Sequence, residues 1–339
     1  EDAAVSRWLI PHARTCPRVA SARSWLIPPS AAAPKITLVE SWPVEPNDAV
    51  GSMPRPYPSA NWPNRAGAWK AVEVDPSTIE QYARDGAVVL RSAVDRSWLD
   101  LLADGVDYNR RHPSAWAHWY TSPDEAVGFW SDNVTWPEVE AYRRVAFESG
   151  LAEVAGELMR SSTVRFFHEH VLVKEPGAVE PTPWHHDDPY YCVDGMQNVS
   201  MWIALDPVPA SSGLEFIAGS HRWGRRFVPR RFVDHVPYGG ADENFELLPT
   251  DDELLDGHTV VGWDVEPGDV VAFHYRTLHG APGNRLSTRR RAVSLRWLGD
   301  DMRFAERPWT VSPPYEPDGL VVGGPLDGDP RFPLVPTSG

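Results

Sequence analysis

Hydrophobic and polar positions along the 339-residue chain fall into three regimes. Over residues 1–65 the apolar positions follow neither a 3.6-residue nor a 2-residue period. They are interspersed with Pro, Ala and Ser, as in a flexible leader. Trp-Leu-Ile-Pro occurs twice there, at residues 8–11 and 25–28, too few copies for a solenoid. Met53 opens more ordinary sequence, and the folded part is expected to begin near Asp75. Ser77-Thr-Ile-Glu80 reads as a capping box, with Ile79, Tyr82 and Ala83 on one helical face and Gly86 as the stop. A short strand is expected at 87–90, then helical patterns at about 95–104 and 137–160, joined by a Trp-rich connection. From Val164 the period changes to two. Segments 164–174, 199–205, 269–274 and 292–298 read as strands, with Pro267-Gly268 as a turn. Strands joined by long loops without intervening helices predict a mainly β protein. The expected core is a double-stranded β-helix of the jelly-roll or cupin-like type, flanked by N-terminal α-helices. The boundaries expected are a leader over 1–65, one domain over 66–307 and a C-terminal extension over 308–339.

A net charge of -15 disfavours nucleic acid and anionic membrane surfaces as partners, and makes a CoA thioester a less natural substrate. No apolar run has the length of a membrane span, and no secretory signal pattern is present. Two distant cysteines, Cys16 and Cys192, exclude a thiolate zinc site and fit a reducing cytoplasm. The partner expected is therefore a small molecule.

The densest cluster of metal-ligating side chains is Pro183-Trp-His-His-Asp-Asp-Pro189. His185 and Asp187 are two apart, so on an extended backbone their side chains share a side. A third ligand, His279, follows the 269–274 strand in Arg276-Thr-Leu-His279-Gly. Two His and one carboxylate on one octahedral face leave three positions open, the arrangement of non-haem Fe(II) oxygenases. A shifted pair, His186 and Asp188, has the same parity and remains an alternative. His274 reads as a packed core histidine, and His221 and His258 as isolated loop residues. The run Arg289-Arg-Arg291 enters the last strand, so alternate members must point inward. Arg290, Ala292 and Ser294 share one face. Arg290 is placed to grip a carboxylate with its planar fork, with Ser294 adding a hydroxyl donor; Arg289 and Arg291 compete for that role. A dicarboxylic cosubstrate would then chelate iron at one end and meet Arg290 at the other. Two other readings stand beside this one. A cupin-like metal dioxygenase or isomerase would not use 2-oxoglutarate and would leave Arg290 without a role. A catalytically dead jelly-roll binding protein would not need the triad.

Several motifs in order resemble the phytanoyl-CoA dioxygenase family of Fe(II)/2-oxoglutarate oxygenases. They are Trp184-His-His-Asp187, Trp202-Ile-Ala-Leu-Asp206, Ala218-Gly-Ser-His-Arg222, and His279 followed by Asn284 and by Arg290 eleven residues on. The likeness covers roughly residues 75–305. It implies that His185, Asp187 and His279 hold Fe(II), that Arg290 binds the far carboxylate of 2-oxoglutarate, and that Lys174 contacts cosubstrate or substrate. It also implies that 2-oxoglutarate and dioxygen are consumed to hydroxylate a C–H bond, releasing succinate and carbon dioxide. Tyr190, Tyr191 and Trp202 are expected to touch substrate. His186 where the family usually has Gln, and Asp188-Pro189 after it, are departures expected to bear on the substrate pocket. A carboxylate at 187 implies hydroxylation rather than the halogenation carried out by relatives with a small residue there.

Overall fold

The computed structural model describes residues 74–120, 128–232, 235–239, 243–315 and 317–336. The expected leader, its repeated tetrapeptide and Met53 lie outside them. Among the described residues the helices are α1 (Pro76–Asp85), α2 (Arg96–Arg111), α3 (Glu140–Glu148), α4 (Leu151–Met159) and α5 (Asp251–Leu255). The strands are β1 (Ala87–Leu90), β2 (His118–Trp119), β3 (Phe129–Asn133), β4 (Arg165–Lys174), β5 (Thr182–His185), β6 (Val193–Asp194), β7 (Asn198–Ala204), β8 (Glu215–Ile217), β9 (Val260–Gly262), β10 (Val270–Phe273), β11 (His279–Ala281), β12 (Arg290–Leu298) and β13 (Arg303–Phe304).

Helix α1 starts two residues before the expected capping box. Asp75 is the N-cap, its carboxylate accepting from the Thr78 N–H at 3.0 Å, and Pro76 opens the helix. A carboxylate cap followed by a residue whose φ already suits the first turn outcompetes Ser77. Gly86 stops the helix with φ 75°, as its position in the sequence suggests. The helical pattern over 137–160 is two helices, because Gly150 adopts φ 76° and breaks the ladder. The Trp-rich connection carries β2 and β3, which the sequence reading placed in no element.

A seven-stranded antiparallel sheet, ordered β1-β10-β7-β12-β4-β3-β2, faces a four-stranded one, β5-β11-β8-β9, in the expected jelly-roll core. Strand alternation sorts the two faces of the large sheet. Val171, Val173, Met201, Ile203, Val293 and Leu295 pack outward against the N-terminal helices. Trp202, Ala204, Val271, Phe273 and Ala292 point inward, towards Phe216 of the small sheet. The C-terminal residues lie along β4: the Phe166 N–H donates to the Pro333 carbonyl and the Val335 N–H to the Val164 carbonyl. No helix among the described residues is long and apolar enough to cross a membrane.

Candidate metal centre and cosubstrate pocket

Sheet register brings the two histidines together. His185 ends β5 and His279 begins β11, and the two are directly opposite partners in the small sheet. Their rings stand 4.2 Å apart. Asp187 follows two residues after His185, at the head of a tight turn, with its N–H donating to the Tyr275 carbonyl at 2.8 Å. Its Oδ1 lies 3.7 Å from His185 Nε2 and 3.9 Å from His279 Nε2. One donor atom from each of the three residues lies within 4.8 Å of the others, the only such group of metal-ligating side chains among the described residues.

The surroundings fix which atoms face inward. His185 Nδ1 bonds the Pro183 carbonyl at 2.8 Å, and His279 Nδ1 bonds the Thr277 carbonyl at 2.9 Å. A carbonyl only accepts, so each Nδ1 carries the proton and each Nε2 presents a lone pair. On Asp187, Oδ2 accepts from the Ser200 hydroxyl at 3.3 Å and faces Arg296 Nη2 at 3.5 Å, leaving Oδ1 towards the histidines. Burial acts to raise the Asp187 pKa, but Arg296 first, and then the two histidines, hold it well below the ordinary range. His279 is pushed down to about 3, by burial and then by His185. A carboxylate and imidazole lone pairs at neutral pH are the donor set of a facial triad, and they fit Fe(II).

Two buried basic side chains, Arg290 and Lys174, sit together where β12 meets β4. Arg290 begins β12 directly opposite Lys174 at the end of β4. Arg290 donates to the Ser212 carbonyl and has no carboxylate partner among the described residues, although it is only 7% exposed. Lys174 Nζ donates to the Glu180 carbonyl at 2.8 Å and lies over the Phe129 ring. Burial, and then repulsion by Arg290, bring the Lys174 pKa down to about 6. The residues flanking Arg290 are committed elsewhere: Arg289 pairs with Glu175, and Arg291 with Asp206 through two nitrogens. The Ser294 hydroxyl is buried without a protein partner on the inward face of β12. A buried guanidinium beside a lysine that an incoming anion would protonate fits a carboxylate.

Two residues carried by the family resemblance turn out to brace the site. The Ser220 hydroxyl accepts from the Leu278 N–H and donates to the Ile217 carbonyl, so the Gly-Ser-His segment aligns the strand of His279. The Asn284 amide donates to the carbonyls of Lys174 and Glu175, pinning the end of β4.

The departures at 186 and 188 do not face the pocket, contrary to expectation. His186 Nε2 accepts from the Phe227 N–H at 2.9 Å, and Asp188 is ion-paired with Arg226 and Arg276. Opposite in parity to His185 and Asp187, they point the other way, where they anchor the 226–227 segment. Both members of the alternative pair are thus engaged outside the group formed by His185, Asp187 and His279. Among the expected substrate contacts, Tyr190 stands edge-on to His185 with ring centres 5.9 Å apart, its hydroxyl held by the Arg230 backbone. Tyr191 is packed between His168 and Tyr275, and Trp202 faces inward on β7 beside Ser294. Arg296, His168 and His170 were not singled out from the sequence. Their signal was parity, because Arg296 continues the face of Arg290 and Ser294, and the two histidines share the face of Lys174.

The phytanoyl-CoA dioxygenase family model matches residues 82–292. A probable alpha-ketoglutarate-dependent hypophosphite dioxygenase of Stutzerimonas stutzeri is 26% identical over 200 residues, covering 52% of this chain and 66% of the relative. The chain thus spans just under two thirds of that curated relative. Among solved structures, the carbocyclase SnoK from nogalamycin biosynthesis shares the fold at TM-score 0.61 and 23% identity, covering 80% of this chain and all of its own. The epimerase SnoN, solved with Fe3+, alpha ketoglutarate and nogalamycin RO, is 26% identical at TM-score 0.59, covering 77% of this chain and 99% of its own. With a family match running from α1 into β12 and the triad at its centre, the chain belongs to the phytanoyl-CoA dioxygenase family.

Proposed function

We propose that the protein is a non-haem Fe(II)/2-oxoglutarate-dependent dioxygenase that hydroxylates a small organic substrate at a C–H bond. The observation carrying this reading is the buried His185–Asp187–His279 donor set, together with an Arg290 that is buried and has no carboxylate partner among the described residues. His185, Asp187 and His279 hold Fe(II). Arg290 and Lys174 take the far carboxylate of 2-oxoglutarate, and Ser294 offers it a hydroxyl. Bound iron supplies dioxygen activation coupled to oxidative decarboxylation of the cosubstrate to succinate. The chain's own work is positional: the Pro183 and Thr277 carbonyls orient the imidazoles, Ser200 and Arg296 orient the carboxylate, and the aromatic walls exclude water. A metal dioxygenase indifferent to 2-oxoglutarate would leave the Arg290 guanidinium buried without a counter-charge, and so would a dead binding domain. The reading extends to a reducing compartment, since Cys192 is a buried free thiol with its pKa pushed up to about 12 by burial.

The test is anaerobic. Fe(II) plus 2-oxoglutarate should give the weak visible charge-transfer band of the chelate, and admitting air should yield succinate. Iron binding without that band would defeat the assignment.

A further inference from the structure

Ten buried side-chain polar atoms among the described residues have no protein hydrogen-bond partner, and five of them lie on one patch. They are Asn133 Oδ1 on β3, His168 Nδ1 and His170 Nε2 on β4, and Ser294 Oγ and Arg296 Nε on β12. The register makes them contiguous. Asn133 is opposite His170, His170 opposite Ser294, and His168 opposite Arg296. Arg296 is in turn opposite Ser200, which bonds Asp187. His168, Ser294 and Arg296 are each at most 4% exposed. Buried polar groups are normally satisfied, and a cluster left open beside a metal centre is satisfied by what binds there.

The patch is separate from the cosubstrate's anchor. Arg290 lies six residues before Arg296 on the same strand, roughly 20 Å away at about 3.3 Å per residue. Ser294 sits at the boundary between the two. The chemistry of the patch is mixed, because Arg296 Nε donates, Asn133 Oδ1 accepts, and the imidazoles and hydroxyl can do either. The Arg296 charge is balanced by Asp187, so no net positive charge awaits a second anion. Aromatic rings stand beside the triad. Phe232 stands 4.8 Å from the His185 ring, 5.9 Å from Tyr190 and 6.3 Å from Tyr120.

Resting on the oxygenase reading of this site, we propose that the substrate is a neutral, hydroxylated ring compound. Its oxygens are held by Asn133, His168, His170 and Arg296, and its ring lies against Phe232 and Tyr190. An acyl chain would leave the polar patch unpaired, and a carboxylate or thioester, which only accepts, would leave Asn133 Oδ1 without a donor. A hydroxyl meets both needs.

The test is calorimetric titration into the full chain, held anaerobic with Fe(II) and 2-oxoglutarate. The panel has three arms: hydroxylated rings (glycosides, cyclitols, hydroxylated aromatic ketones), the same rings O-methylated, and linear acyl-CoA thioesters. Members of the first arm should bind at least tenfold more tightly than their methylated counterparts. That preference should vanish in Asn133→Leu and His170→Phe and return in part in His170→Gln. Preferred binding of thioesters, equal binding of methylated rings, no binding by any hydroxylated ring, or a preference unmoved in the variants would each overturn the proposal. The chelate band, recorded on the same samples, separates the two readings: its absence refutes the iron and 2-oxoglutarate assignment, whereas its presence with no selectivity refutes only the substrate class.

Discussion

Replacing Arg290 by Lys isolates the cosubstrate anchor from the metal. Arg290 is buried, has no carboxylate partner among the described residues and donates to the Ser212 carbonyl, so its free guanidinium edge is what a dicarboxylate would meet. Lysine keeps the charge but loses the planar two-pronged fork. Loss of one charge-assisted hydrogen bond costs about 1.5–3 kcal/mol, or roughly ten- to hundredfold in affinity. The triad lies on other strands, so iron binding should hardly change. Arg289→Lys and Arg291→Lys are the controls, because those side chains are paired with Glu175 and Asp206 at the domain surface. Each should leave cosubstrate affinity within about twofold, since partly exposed ion pairs contribute only about 0–1 kcal/mol. The assay is anaerobic titration of 2-oxoglutarate against the chelate band at fixed Fe(II), with metal stoichiometry measured separately. Unchanged affinity in Arg290→Lys, or an equal loss in either control, would refute the assignment of the anchor.

Four further outcomes are expected. Lys174 titrates at about 6 in the ligand-free protein, so above that pH binding of the 2-oxoglutarate dianion should take up a proton. Affinity should then fall with rising pH, with a slope approaching one proton; calorimetry in buffers of different ionisation enthalpy would expose an absent uptake. The same depressed value, against an ordinary 10.5, means the unfolded chain binds the extra proton between these pH values, so this group makes the ligand-free protein more stable as pH rises through that window. Asp188→Asn would leave Arg226 and Arg276 facing each other without their shared carboxylate and should cost about 2–3 kcal/mol, discounted for the arginines' partial exposure. Urea unfolding would reveal it, and a change under about 0.5 kcal/mol would mean the ion cluster holds nothing. Finally, the unmutated enzyme with excess chloride or bromide should give only hydroxylated product by mass, because Asp187 occupies the position a halide would need; a halogenated product would remove Asp187 from the ligand set.

Much of the site was legible in the sequence because its information is local. The i, i+2 spacing of His185 and Asp187 survives in any extended segment, and strand parity put Arg290 and Ser294 on one face before any partner strand was known. Helix stops at Gly86 and the turn at Pro267-Gly268 were legible for the same reason, since backbone conformation at such residues depends little on distant contacts. The split at Gly150 was equally local but was overlooked within a continuous apolar pattern. Other features belong to the tertiary structure. The facing of His185 and His279 is a register between strands about ninety residues apart, and no single-chain periodicity encodes it. His186 and Asp188 were read as pocket residues from their departure from the family pattern alone, whereas their parity, opposite to that of His185 and Asp187, already turned them towards the 226–227 segment. Arg296, His168 and His170 carried the right parity. What made them a binding surface was the pairing of β3, β4 and β12 beside the triad, which leaves their polar atoms buried and without protein partners. Side-chain direction is set by the local backbone, but whether a polar group is satisfied depends on what the rest of the fold brings to it.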